Sequence, residues 1–383
     1  MDLYNNICDL TTFLNSFPKF ELIEVHETPQ YLIKALFDDY NTRKLAETFN
    51  KIRTLLIDGK VSEAMTLYQT AQEGLSSGVS LQCVDIVKDT SRYDDYVERT
   101  KDFNKYYIST GFKELDSIVG GFDREEELAT IVARTNVGKT WLLLKCALSA
   151  AQQGLRVGIY SGEMSERKVG YRIDTLLGHI SNGSITHGND NVLLDYKKYI
   201  DELPSLIKGS IKVLTPKMIN GPADVNSLRV FIEKENLQAL FVDQFSLLED
   251  QRKGKSPTEK MSNISKDLKN LQVLKRIPII SVSQQNRTVV EDGANTTQIA
   301  QSDRIGQDST MIIFMEKKDN LIKLILVKSR DSENSKTLSY VVDFNLGTFT
   351  YVPDETSEVS QEVSSVDEYK TRYDVVESEE DVF

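Results

Sequence analysis

No apolar run in the 383-residue chain is long enough to cross a bilayer, which takes roughly 18 to 20 consecutive apolar residues. Met1-Asp2-Leu3-Tyr4 opens no secretory signal. The expectation is a cytoplasmic protein with no membrane role. Cysteine is scarce: Cys8, Cys83 and Cys146 are odd in number, far apart and form no C-x-x-C pair. That excludes a disulfide framework and indicates no zinc site. Positive charge is also short, with 46 basic residues against 58 acidic ones and a net charge of −12. Such a deficit speaks against a nucleic-acid partner until it is mapped along the chain. Eleven acidic residues between Pro353 and Phe383 face only Lys370 and Arg372, so −9 of the −12 belongs to the tail and −3 to the body. The folded part can still hold a local basic channel.

What is present fits a soluble globular chain of two or three domains, 40% hydrophobic and 27% charged. Residues 1–86 show helical patterns, notably Leu45 to Leu56 and Val61 to Leu75, joined through Asp58-Gly59. A small all-α domain for assembly or partner docking is expected there. Residues 87–109 read as a linker with a short helix around Tyr93 to Arg99, or equally as a surface helix of the main domain. From 110 to 352 apolar strands alternate with amphipathic helices, the pattern of an α/β fold with a mostly parallel sheet covered on both faces. Strands are expected at Ala129–Ala133, Arg156–Tyr160, Ile211–Leu214, Ala239–Val242, Ile279–Val282, Met311–Met315, Lys323–Lys328, Ser339–Asp343 and Phe349–Val352. Helices are expected at Lys139–Gln153, Glu166–Leu177, Asn226–Lys234 and Glu259–Lys275. In the last helix Met261, Ile264, Leu268, Leu271 and Leu274 form the core face, leaving Lys260, Lys266, Lys269 and Lys275 outside. Residues 353–383 have too few apolar groups for a core and are expected to be an acidic disordered tail.

Between the first strand and first helix of this pattern stands Ala133-Arg134-Thr135-Asn136-Val137-Gly138-Lys139-Thr140. A buried strand delivers a tight turn whose backbone N–H groups, with the next helix N-terminus, face phosphates. Lys139 then reaches the β/γ oxygens and Thr140 holds Mg²⁺. The general pattern G-x-x-x-x-G-K-[ST] expects glycine where Ala133 stands. ATP and Mg²⁺ are the implied ligands.

Ligands of an open parallel sheet bind at the carboxyl ends of its strands. Asp243 ends Leu240-Phe241-Val242 and suits the support of Mg²⁺. Glu163, after Ile159-Tyr160-Ser161-Gly162, suits activation of the attacking water. Gln284 ends Ile279 to Ser283, where an uncharged amide can sense a γ-phosphate. Lys328 and Arg330 end Leu324 to Val327 and suit charge neutralisation in the transition state, from a neighbouring subunit. Each position admits a plainer role. Carboxylates after strands commonly cap the next helix, Gln284 can satisfy backbone groups, and Lys328 with Arg330 can be a solvated edge.

The ordered blocks Thr110-Gly111-Phe112-Lys113-Glu114-Leu115-Asp116, Gly120-Gly121-Phe122, Ala133 to Thr140, Ser161-Gly162-Glu163-Met164-Ser165 and Phe241-Val242-Asp243-Gln244 narrow this further. So do Ile264 to Lys269, Ile277 to Ile280, Ser283-Gln284-Gln285-Asn286-Arg287 and Lys328-Ser329-Arg330. Over residues 110–352 the chain resembles the RecA-like P-loop motor domain of DnaB-type, superfamily 4 replicative DNA helicases. In that family alanine is common at the first loop position. The resemblance implies a hexameric ring that hydrolyses ATP between subunits and moves 5′→3′ on single-stranded DNA, unwinding forked duplex. It implies phosphate binding by Lys139, metal binding by Thr140 with Asp243, and water activation by Glu163. It further implies coupling through Gln284 and action of Lys328 and Arg330 in trans. Arg134 stands where it can touch the nucleotide or make a salt bridge.

A translocating motor needs phosphate contacts rather than base-specific ones. Arg252-Lys253-Gly254-Lys255, and the polar segment 286–308 with Arg287, Ser302, Arg304 and Gly306, are the candidate DNA contacts, with solvated loops as the alternative. This second segment departs most from the family, keeping clearly only Gln307-Asp308. The N-terminal region also matches the family poorly, which suggests a phage-encoded member. The scarcity of cysteine argues against a fused zinc-binding primase module. Phe383 ends an acidic run, Glu377 to Val382, similar to tails by which single-strand-binding proteins dock partners; a plain solubility tail is the alternative. Expected partners are primase, helicase loader, polymerase or single-strand-binding protein, through the N-terminal domain or the tail. Two competing functions remain: a RecA- or KaiC-like ATPase of recombination, and a nucleotide-dependent scaffold or loader that does not translocate.

Overall fold

A computed structural model describes residues 10–18, 29–75, 84–284, 304–330 and 336–353. By its internal contacts the chain divides into two units, Met1–Thr90 and Ser91–Phe383. The first contains α1 (Leu10–Ser16), α2 (Pro29–Ile57) and α3 (Val61–Leu75). Helices α2 and α3 form a hairpin turned at Gly59, whose positive φ of 75° suits the helix-ending turn. The helical pattern expected from Leu45 begins about four turns earlier, at Pro29.

The second unit opens with α4 (Ser91–Lys101), which lies within it and has no buried residue. It continues through β1 (Tyr107–Ile108), α5 (Lys113–Val119), β2 (Phe122–Asp123), β3 (Leu128–Ala133), α6 (Lys139–Gln152), β4 (Arg156–Ser161), α7 (Glu166–Gly178), α8 (Asn182–His187), α9 (Leu193–Leu206) and β5 (Ser210–Leu214). Then come α10 (Val225–Glu235), β6 (Ala239–Asp243), α11 (Pro257–Lys275), β7 (Ile279–Gln284), α12 (Arg304–Asp308), β8 (Met311–Lys318), β9 (Leu321–Lys328), β10 (Lys336–Asp343) and β11 (Thr348–Val352). All nine expected strands form, in one sheet ordered β11-β10-β9-β8-β3-β7-β6-β4-β5. The six strands from β8 to β5 run parallel, and β9, β10 and β11 add antiparallel pairs at one side.

Alternation along the central strands divides the core in two. Ala129, Ile131, Val157, Ile159, Phe241 and Ile280 face a cluster built with α6 and α7, whereas Leu128, Tyr160, Leu240, Val242 and Ile279 face one built with α10 and α11. This is the three-layer arrangement of a doubly covered sheet. Helix starts follow side-chain capping: the hydroxyls of Ser165 and Ser256 accept from Lys168 N and Glu259 N, and the Asp224 carboxylate accepts from Ser227 N.

Helix α11 departs from its expected face. Ile264, Leu268 and Leu271 are buried, but Leu274 is 67% exposed. Gln272 turns inward instead, its amide donating to the carbonyl of Glu125 at 2.6 Å, and Lys269 is half-buried against it. Among the described residues no helix is long and apolar enough to cross a membrane.

The block Thr110 to Asp116 is a local clasp. The Asp116 carboxylate accepts from Thr110 N at 2.8 Å, Thr110 Oγ1 at 2.6 Å and Ser109 Oγ. Thr110 is fully buried, so losing this acceptor strands its donors. Asp116→Ala is expected to destabilise the second unit by about 2 kcal/mol, read as a lowered urea midpoint at unchanged slope.

Candidate nucleotide site

Parallel pairing brings the strand ends level. Ala133 pairs with Gln284, and Ser161 with Asp243, so the loop after β3, the turn after β4 and the ends of β6 and β7 share the sheet's carboxyl edge. Arg134, Thr135 and Asn136 are exposed at that edge, while Val137, Gly138, Lys139 and Thr140 sink halfway into it at the start of α6. Asn136 and Gly138 have φ of 60° and 106°, the left-handed turn that aims successive backbone N–H groups one way. Lys139 Nζ donates weakly to the Arg134 carbonyl at 3.4 Å, folding the ammonium back over the loop.

Asp243 is 2% exposed. Its Oδ1 accepts from Thr140 Oγ1 at 3.3 Å, and its Oδ2 is buried without a partner. Burial pushes its carboxyl up to about 6; the Thr140 bond opposes this, Glu163 adds to it, and Arg172 and Lys139 pull back. Burial likewise lowers the pKa of Lys139, against the attraction of Glu163 and Asp243. A buried carboxylate with one unused oxygen beside a hydroxyl is a hard-oxygen donor set suited to Mg²⁺, which characteristically draws its remaining ligands from phosphates and water. Glu163 stands exposed at the mouth, and Gln284 is exposed at the end of β7.

Two neighbours escaped the sequence pattern. Arg172 of α7 lies with its guanidinium carbon 5.1 Å from the Trp141 ring centre, and its charge bears on Asp243 and Glu163. Burial lowers its pKa first; the two carboxylates oppose that. The readable signal was a cation on the helix face that Val169, Ile173 and Leu176 bury. Phe344, in the turn between β10 and β11, stacks on Trp141 at 5.7 Å and 11° and presses on Gly138, where an added Cβ would meet the Phe344 ring at 2.3 Å. Lys317 Nζ lies 4.9 Å from the Phe344 ring centre. The turn is bolted down by His179 Nδ1 against the Leu346 carbonyl at 3.0 Å and by Gly183 N donating to Asn345 Oδ1 at 2.9 Å.

Lys328 and Arg330 are elsewhere. Because β9 runs against β8, its end returns to the amino edge of the sheet. Arg330 shares a small cleft there with Glu126, Glu127, Thr310 and Met311. Lys328 Nζ donates to the carbonyls of Gly306 at 2.9 Å and Gln307 at 3.2 Å. The six residues of β3 separate this edge from the loop, about 16 Å at some 3.3 Å per residue.

Among the described residues the candidate DNA contacts differ in setting. Lys253 and Lys255 are exposed, but Arg252 pairs with Asp267. Their loop is wound on Asp250, whose carboxylate accepts from Gly254 N, Arg252 N and Asn263. Burial raises the Asp250 pKa, and these bonds outweigh it, leaving it lowered. Gly306 lies in α12 beside Lys328 rather than in an open loop, and the backbone of Arg304 opens that helix. Arg287, Ser302 and the acidic tail lie outside the described residues.

Residues 107–344 match the model of the DnaB-like helicase C-terminal domain, more than half of the chain. The chain belongs to that family. It is 29% identical over 264 residues to a probable plasmid replicative DNA helicase of Chlamydia psittaci, covering 66% of this chain and 55% of that one. It is 26% identical over 305 residues to the replicative DNA helicase DnaB of Geobacillus stearothermophilus, covering 76% and 66%. The chain thus spans between about half and two thirds of these relatives. In fold it is similar to a solved ATPase domain, with TM-score 0.59, 22% identity and 70% of this chain covered against 100% of that one. It is also similar to a DnaB-like replicative helicase solved for its interactions with primase, with TM-score 0.66, 19% identity and coverage of 86% and 81%.

The raised pKa of Asp243 has a stability consequence. Its folded value of about 6 exceeds the unfolded value near 3.8, so the folded state is penalised above pH 6 and the penalty fades as pH falls through 6 towards 4. Ligand-free Asp243→Asn is therefore expected to melt above wild type at pH 8, with the gap closing by pH 4.5. Calorimetry across that range checks it.

Proposed function

We propose that the chain is an ATP-hydrolysing replicative DNA helicase that works as a hexameric ring on single-stranded DNA at a fork. The observation carrying this reading is the division of its phosphate-handling groups between opposite edges of one rigid sheet. Lys139, Thr140, Glu163, Asp243 and Gln284 occupy one edge, and Lys328 and Arg330 the other. A side chain of Arg330's length cannot span the height of the sheet, so the second set serves a nucleotide held by a neighbouring copy.

In this reading the backbone N–H groups from Arg134 to Gly138 and the Lys139 ammonium hold the β- and γ-phosphates. Thr140 Oγ1 and Asp243 hold Mg²⁺, which when bound withdraws charge from the phosphoryl oxygens. Glu163 orients the attacking water and accepts its proton. Gln284, beside the loop on β7, reports the γ-phosphate to the segment that follows it. Lys328 and Arg330 of the next copy neutralise charge on the transferring group. Lys253 and Lys255, with Arg287 and Ser302 of that following segment, contact the DNA backbone. A cytoplasmic setting follows from that activity.

The exposed apolar side chains of the helical hairpin, among them Leu36, Phe49, Ile57 and Met65, support a role for the N-terminal unit in assembly or in docking primase or a loader. The acidic tail serves polymerase or single-strand-binding protein.

Lys139→Ala and Glu163→Gln are each expected to cut DNA-stimulated ATP hydrolysis at least about 100-fold and to abolish unwinding of a forked duplex, Glu163→Gln while still binding ATP. A wild-type ring that hydrolyses ATP but does not unwind sinks the helicase reading; unwinding that survives both substitutions sinks the site. Arg330→Ala is expected to lower kcat by a similar factor with little change in nucleotide affinity. Stopped assays at saturating ATP, paired with nucleotide titration, separate the two effects.

A further inference from the structure

The amino edge carries a third cation that the sequence had placed on a solvated face. Lys269 of α11 turns in towards the same region as Lys328 and Arg330. Its Nζ donates to Gln272 Oε1 at 2.7 Å, and Gln272, 1% exposed, is fixed by its own bond to the Glu125 carbonyl. Lys328 is held as firmly by the carbonyls of Gly306 and Gln307. Both ammoniums are thus aimed by neutral acceptors. The ion pairs among the described residues include none of Lys269, Lys328 and Arg330. The carboxylates facing the cluster are Asp308, engaged by Ser265 Oγ at 2.6 Å, Glu127, engaged by Thr310, and Glu126. Burial lowers the proton affinity of Lys269 and of Lys328, the charge of Arg330 lowers both further, and the carboxylates oppose this.

Of these three cations from two distant segments, Lys269 and Lys328 are aimed by neutral acceptors, and the charge of Arg330 bears on both. Pre-aimed charges of this kind cost no reorganisation when the anion binds. We propose that Lys269 completes, with Lys328 and Arg330, an anion-receptive cluster at the amino edge that takes the triphosphate held on the phosphate loop of the adjacent copy, Lys269 acting as a positioning residue for Arg330. This rests on the intersubunit reading above and extends it to a residue on a different element. Gln272 becomes part of the device, since it sets the height of the Lys269 ammonium.

The test uses full-length rings and subunit mixing. Lys269→Met keeps the aliphatic stem while removing the charge, and Lys269→Arg restores the charge. Lys269→Met is expected to lower kcat for DNA-stimulated ATP hydrolysis about 10- to 100-fold with KM for ATP changed less than about threefold, and Lys269→Arg to recover most of the loss. Ring assembly by light scattering and melting temperature should match wild type for both.

The decisive arm mixes Lys269→Met subunits with Lys139→Ala subunits. The first keeps an intact loop and the second an intact cluster, so adjacent copies rebuild whole sites and the mixture should exceed the mean of the two rings alone. A parallel mixture of Arg330→Ala with Lys139→Ala tests the underlying reading. Gain with Arg330→Ala but none with Lys269→Met overturns the role of Lys269 alone. No gain in either mixture overturns the intersubunit reading and this proposal with it. Full activity of Lys269→Met, or a defect that Lys269→Arg leaves unchanged, also overturns it.

Discussion

Hydrogen-bonded register between parallel strands is the constraint on which the rest of this molecule depends. Once Ala133 lies beside Gln284 and Ser161 beside Asp243, side chains far apart in sequence share one line above the sheet. No loop could hold them so well, because a strand end inherits the rigidity of the whole ladder. The same ladder imposes a separation. An antiparallel strand added beside β8 must deliver its end to the opposite edge, and Lys328 and Arg330 lie on that strand and just past it. Moving them to the carboxyl edge would take a different topology, not a different rotamer.

Holding the carboxyl edge in shape falls partly to the antiparallel side of the sheet. Phe344 comes from the β10–β11 turn, yet it fills the space beside Gly138 and stacks on Trp141, whose ring also carries Arg172. Any side chain larger than glycine at 138 would displace that ring as well as strain a φ of 106°. The closing strands therefore support the phosphate loop from outside, and Arg172 balances the two carboxylates from above. Asp243 bears the cost of this packing as a charge held in a dry place with one oxygen unused.

How much of this could be read from residues alone depended on the range of the forces involved. The central strands β3, β4, β6 and β7 were legible because each is a local apolar run bounded by turn residues, and burial on both faces leaves little room for another pattern. Helices α8 and α9 were not, since α8 has only six residues and α9 carries Pro204 in its last turn. The loop and the strand-end carboxylates were legible because chemistry and local geometry coincide there. Arg172, Phe344 and Lys269 were not, because each owes its place to a distant partner: Trp141, Gly138 and the Glu125 carbonyl reached through Gln272. The pairing of Arg252 with Asp267 in α11 was equally out of reach of the sequence pattern.

Electrostatics then ties assembly to nucleotide. One copy carries Glu163 and Asp243 at its carboxyl edge, gathered around a carboxylate whose burial already resists ionisation. The same copy carries Lys269, Lys328 and Arg330 at its amino edge, facing Glu126 and two carboxylates, Asp308 and Glu127, that hydroxyls already engage. The two sets lie about 16 Å apart across the six residues of β3, beyond a Debye length of about 8 Å at physiological ionic strength. In the proposed ring, stacking carboxyl edge on amino edge would place a metal–triphosphate between the loop of one copy and the cations of the next. Release of the γ-phosphate after hydrolysis would remove negative charge shared by both sides and so weaken the contact between copies. In such a ring nucleotide turnover and subunit movement would be two readings of one electrostatic balance.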